Sequence, residues 1–142
     1  MDLKECEKKK IIRKTRVDTN LVKSIIEISE IKEETVKQVK LDNNNVNAFL
    51  PMAYDSLREI LEAYCILPGF KVGNHDCLGK LIKKLNPNFD LISFDRFRYA
   101  RNGINYYGNR TGLEEGTIII NNIFLLKKEI LKELNKHLNK SK

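Results

Sequence analysis

Apolar positions along this chain recur every three to four residues, the period of one helical face. Leu21, Ile25, Ile28, Val36 and Val39 mark a long helix that Asp18 is placed to cap and that runs to about Leu41. Its middle, Glu30 to Thr35, is polar and thins the stripe. Asp42-Asn43-Asn44-Asn45 forms a turn cluster. A second helix follows from about Val46 to Leu67, with Ala53, Leu57, Ile60, Leu61 and Tyr64 facing inward. Pro51 interrupts its beginning and is an alternative start, and Pro68-Gly69 ends it.

Residues 2–12 form a shorter helical stretch, and Phe70 to Gly73 reads as a connector. Asn74 caps a short helix with Leu78, Leu81, Ile82 and Leu85 on one side, stopped by Asn86-Pro87. A further helix spans about Asp90 to Tyr107, with Gly108 as its stop. Thr111 and Glu114 have the spacing of a capping box for a last helix. That helix carries Ile118, Ile119, Phe124, Leu126, Ile130, Leu134 and Leu138. Residues 117–120 favour a strand by local propensity, but no partner strand is in sight. The expectation is a single all-α domain over residues 1–142, an up-and-down bundle of four or five helices.

Composition adds little to the fold and more to the setting. The chain is basic, with 26 Lys and Arg against 19 Asp and Glu, for a net charge of +7. Residues 1–16 and residues 127–142 each carry +4, leaving the body at −1. Such ends suit nucleic acid, or simply a solvated lysine surface. No apolar run is long enough to span a membrane, and no apolar leader follows the charged N-terminus. Cys6, Cys65 and Cys77 are odd in number and lack a Cys-x-x-Cys pair, which predicts buried thiols in a reducing cytoplasm. Cys65, His75 and Cys77 match no established metal spacing, so neither metal nor cofactor is expected.

The chemistry concentrates in the fifth helix. Arg98, Arg101 and Asn105 lie three and four residues apart and share a stripe beside the apolar seam. An arginine fork there either grips an anion or pairs with a carboxylate such as Glu59, Glu62 or Asp95. Asn102 adds an amide, and Tyr106 and Tyr107 add phenols; of these two, Tyr107 falls on the apolar side as a core residue. Gly103 costs the helix about 1 kcal/mol relative to Ala, which points to a close helix approach or a local break. Of the two histidines, His137 lies in the basic terminal helix and is expected to be solvated. His75 either closes the loop onto the bundle or folds over toward Arg101.

The segment Arg96–Gly108, preceded by Gly69–Leu85 and followed by a long amphipathic helix, resembles the HEPN domain family, in particular its stand-alone archaeal members. Residues 1–36 are similar to the opening helix pair of such proteins, and Tyr54–Phe70 to their second long helix, so the resemblance spans almost the whole chain. It implies a helical domain, commonly a homodimer, that acts as a metal-independent endoribonuclease toxin, as the partner of a minimal nucleotidyltransferase in a toxin–antitoxin pair, or as an RNA- or nucleotide-binding module without catalysis. It also implies a site of Arg101 and Asn102, with a histidine four to six residues after the arginine. Here Tyr106 or Tyr107 stands in that place. A phenol, with an ordinary pKa of about 10 against about 6.5 for imidazole, is a poor base near neutral pH. The expected catalytic set is therefore Arg101, Asn102 and Tyr106, weak or inactive. The expected phosphate contacts are Arg98, Arg101, Asn102 and Asn105, with His75 and Tyr107 as auxiliaries.

Overall fold

The computed structural model describes residues 1–140; Lys142, counted in the basic C-terminal end, lies outside the described residues. Among the described residues, six helices and one small ribbon follow in order. They are α1 (Leu3–Lys8), β1 (Ile12–Lys14), α2 (Thr19–Gln38), α3 (Val46–Ile66), β2 (Phe70–Val72), α4 (His75–Leu85), α5 (Leu91–Tyr107) and α6 (Leu113–Lys140). The fold is an all-α bundle, as the period of the apolar positions predicts.

Helix α3 is the axis of the core. It buries Leu50, Tyr54, Leu57, Ile60, Leu61 and Tyr64, and every other long helix packs on it. Lys37 lies over the Phe124 ring and Glu33 pairs with Lys127, so α2 runs antiparallel to α6. Val46 meets Gly116 and Tyr64 meets His137, so α3 runs parallel to α6. Gly116 permits that approach, since a Cβ there would sit 2.5 Å from Val46 Cγ2.

The polar middle of α2 is a working part of this seam. Buried Lys127 reaches Glu33 Oε1 at 2.8 Å and the Ser29 carbonyl at 3.1 Å, and Lys32 pairs with Glu59. Burial works to raise the Glu33 carboxyl, but hydrogen bonds and attraction from Lys127 and Lys37 hold it below the usual carboxylate range.

Helix α5 is held on one face only, by Phe94 and Phe97, with Ile104 half-buried. Asp90 Oδ1 accepts the Ser93 N–H at its start, and Gly108, at φ 65°, closes it in the left-handed conformation.

Several expectations need correction. The first helix ends at Lys8, and Ile12–Lys14 pairs antiparallel with Phe70–Val72, so the supposed connector is a strand. Helix α2 stops at Gln38, three residues short of Leu41. Helix α3 begins at Val46 as expected, and the alternative start at Pro51 is not used: the proline lies within the helix and forgoes one backbone bond. The capping box does not close: the Thr111 hydroxyl is buried without a partner, and Asn47 Oδ1 and Asn43 Oδ1 accept from the Thr111 and Leu113 N–H groups. Asn43 of the asparagine turn and Asn47 of α3 thus hold the start of a helix more than sixty residues away. Gly103 marks neither a close helix approach nor a break, because a Cβ there meets only Asn109 at 3.6 Å and the helix continues. Tyr107 is 75% exposed, since the apolar seam of α5 runs out beyond Ile104.

The cysteines depart furthest from expectation. Cys6 and Cys77 form a disulfide that pins α1 to α4, so only Cys65 is a buried free thiol. Burial pushes that thiol up to about 12. The cysteines therefore no longer argue for a reducing compartment. Among the described residues, no helix is long and apolar enough to cross a membrane.

Candidate anion-binding cleft

Two consecutive helices, α4 and α5, build the site. The β1–β2 ribbon delivers Gly73, whose N–H donates to the Ile11 carbonyl at 2.8 Å, and so sets where α4 begins. Asn74 Oδ1 accepts the Cys77 N–H and starts the helix, bringing His75 and Asp76 to its first turn. Across from them α5 presents Arg98, Arg101, Asn102 and Tyr106. Together these residues line an open cleft of about 420 Å³.

Arg101 is its centre. Its Nη1 donates to Asn102 Oδ1 at 3.1 Å and to the Tyr106 hydroxyl at 3.0 Å. Its guanidinium carbon lies 5.6 Å from the Tyr54 ring centre and 5.3 Å from that of Tyr106, both favourable cation–π distances. Among the described residues no carboxylate pairs with it. Arg98 differs. Its Nη2 lies 3.3 Å from Asp95 Oδ1 and 3.7 Å from Asp76 Oδ1. The ion-pair reading therefore holds for Arg98 through Asp95. Glu59 and Glu62, the other partners considered, are taken by Lys32 and Arg58.

His75 lines the same cleft as the arginines and turns its ring to Tyr54. Its Nδ1 lies 3.0 Å from the Tyr54 hydroxyl, and Tyr54 in turn lies under Arg101. Burial drives the imidazole down to about 4, helped by the positive charges of Arg58, Arg101 and Arg98 and opposed by Asp55. It is neutral at pH 7. Burial also raises the Tyr54 phenol well above its ordinary value, against the pull of the three arginines, so its proton stays on. Among the described residues, four buried side-chain atoms have no hydrogen-bond partner. Three of them, Arg98 Nε, Arg101 Nε and Asp55 Oδ1, belong to residues whose charge acts on Tyr54 or His75, which marks this corner as the unsatisfied part of the fold.

The expected set Arg101, Asn102 and Tyr106 is thus brought together, with Tyr106 holding the arginine. Arg98 and His75 join it. Asn105 and Tyr107 are exposed and do not line the cleft. Tyr54 and Asp76 are not singled out by the sequence pattern. Tyr54 shares the Leu50, Leu57 and Leu61 face of α3, so its hydroxyl, buried on an apolar stripe, was the available signal. His137, expected to be solvated, is exposed but sets its ring 5.4 Å from that of Tyr64.

A larger depression, about 1020 Å³, runs between α5 and α6 past Tyr99, Ile104, Ile119 and Leu126. It is not where the arginine forks and the imidazole converge, and the chemistry selects the smaller cleft. Cys77 is committed to the disulfide, so the Cys65–His75–Cys77 trio does not assemble. Among the described residues no group of three or more metal-ligating side chains gathers elsewhere.

Comparisons with protein-family models, with curated proteins and with solved structures find no match.

Proposed function

We propose that this protein is an RNA- or nucleotide-binding module that holds a phosphate group on Arg101, with little or no catalysis of its own. One observation carries the reading: a half-buried guanidinium, with no carboxylate partner among the described residues, faces an open cleft, steadied by an amide, a phenol and two aromatic rings. Leaving such a charge unpaired is expensive unless an anion completes it. The HEPN resemblance supports the same assignment. Proton transfer is poorly served, because Tyr106 is spent on Arg101 and a base with a pKa of about 4 accepts protons weakly at pH 7.

The test is binding of a labelled oligouridylate, measured against salt. Affinity falls as salt rises, and each phosphate contact on a single strand contributes a log–log slope of about −0.7. Arg101→Ala weakens binding roughly tenfold to a hundredfold and removes about one such contact. Binding that ignores both salt and this substitution overturns the proposal.

His75 in the cleft supports a second reading, a metal-independent endoribonuclease in which it replaces the missing histidine. Cleavage in chelator that is lost in both Arg101→Ala and His75→Gln would establish it over binding alone.

A further inference from the structure

Beside the arginine cleft, α5 presents a second stripe to solvent. Tyr99, Asn102 and Tyr106 stand three and four residues apart and form one crest. Tyr99 is 82% exposed and Tyr106 66%. The crest separates the two depressions, with Tyr99 at the edge of the larger and Tyr106 at the edge of the smaller. Single exposed aromatics are ordinary surface features. Two in register along a helix, next to an unpaired arginine, are a different arrangement.

Resting on the phosphate-binding reading, we infer that this crest is a stacking platform for two bases of a single-stranded nucleic acid whose linking phosphate sits on Arg101. The spacing supports it. Seven residues of helix separate the tyrosines by about 10 Å along the axis. Neighbouring bases in a duplex strand are about 3.4 Å apart. The two rings therefore suit bases drawn out of their own stack, which a single strand provides and a duplex, with its base faces covered, does not.

Pre-organisation supports it as well. The Tyr106 hydroxyl accepts from Arg101, whose guanidinium carbon lies 5.3 Å from the ring centre, so the ring is held in place and carries a cation on one side. A base stacked on the exposed side completes a cation–ring–base sandwich. Between the two rings, Asn102 gives its oxygen to Arg101, and its amide nitrogen has no partner among the described residues. That nitrogen is placed to donate to a base edge.

The experiment compares a six-nucleotide oligouridylate, a six-nucleotide oligothymidylate and a blunt hairpin duplex by fluorescence anisotropy. Both single strands bind more tightly than the duplex. Tyr99→Leu, at an exposed position with good helix propensity, weakens single-strand binding about tenfold and leaves duplex binding and the melting temperature unchanged. Tyr106→Phe, which keeps the ring, loses less than Tyr106→Leu, which does not. If Arg101→Ala removes binding while Tyr99→Leu and Tyr106→Leu change nothing and the duplex binds equally well, the platform is overturned and the phosphate site stands. If no probe binds in an Arg101-dependent manner, the phosphate site falls first and the platform with it.

Discussion

The α2–α3–α6 seam and the α4–α5 edge treat charge in opposite ways. In the seam, Lys127 is 1% exposed yet closed by Glu33 and the Ser29 carbonyl, and Glu59 is closed by Lys32. At the edge, Arg101 finds only neutral groups among the described residues, and Arg98 shares two carboxylates that are themselves partly exposed. Buried charges cost several kcal/mol each unless completed. The seam completes its own. Among the described residues, the edge does not complete Arg101. Position along the sequence does not reveal this difference, because lysine and arginine stripes look alike until their partners are in place.

The largest expected effect tests the closed side. Lys127→Ala leaves Glu33 half-solvated with only Lys37 and opens a hole beside α2. It costs about 3 kcal/mol, seen as a melting temperature lower by about 10 °C. Oligouridylate binding at a temperature where the variant is folded stays unchanged. A variant that melts like the parent would show that the pair is idle and that the contrast between the two regions is false.

How much of this was legible follows from how local each signal is. Asp18, Asn74 and Gly108 act within one turn of where they stand, and each caps or stops its helix as its residue type predicts. The ribbon was not legible, because three-residue strands are too short to show alternation. The Thr111 box was a local pattern overruled by Asn43 from the asparagine turn and Asn47 from the first turn of α3. The Cys6–Cys77 bond joins residues 71 apart, and counting cysteines carries no information about that pairing. In the site, Arg101, Asn102 and Tyr106 were legible because one helix carries all three. The pairing of Arg98 was legible through Asp95, three residues before it, whereas its second carboxylate, Asp76, arrives from α4. The placing of His75 in the cleft depended on Tyr54, which arrives from α3.

The next effect sharpens the contrast through pH. A histidine whose folded pKa lies below its unfolded value binds fewer protons in the folded state. Stability therefore rises with pH between the two values and is lost as pH falls from about 6.5 toward about 4. A tenfold drop in proton affinity on folding corresponds to about 1.4 kcal/mol, and the open side of the cleft screens much of the effect, leaving about 1–2 kcal/mol. Chemical denaturation at pH 7 and at pH 4.5 should show this loss in the parent and not in His75→Gln. Equal losses in both would place the acid sensitivity among the carboxylates of the seam. The edge would then not hold its imidazole neutral.

The smallest expected effect decides on which side of the contrast Arg98 belongs. Its Nη2 lies between Asp95, 45% exposed, and Asp76, 35% exposed. Exposed pairs of this kind contribute between zero and about 1 kcal/mol, so they hold the fork weakly. Asp95→Asn keeps the shape of the side chain and removes one of the two competing charges. If Arg98 is a second anion contact, oligouridylate binding tightens by roughly twofold to threefold. The gain shrinks toward nothing at 1 M salt, where charges are screened beyond about 3 Å. Binding that is unchanged at low salt, or weaker, would mean that Arg98 is a closed pair like Lys127. The cleft would then offer its ligand one guanidinium, and the single-strand slope would lose about one contact in Arg101→Ala and none in Arg98→Ala.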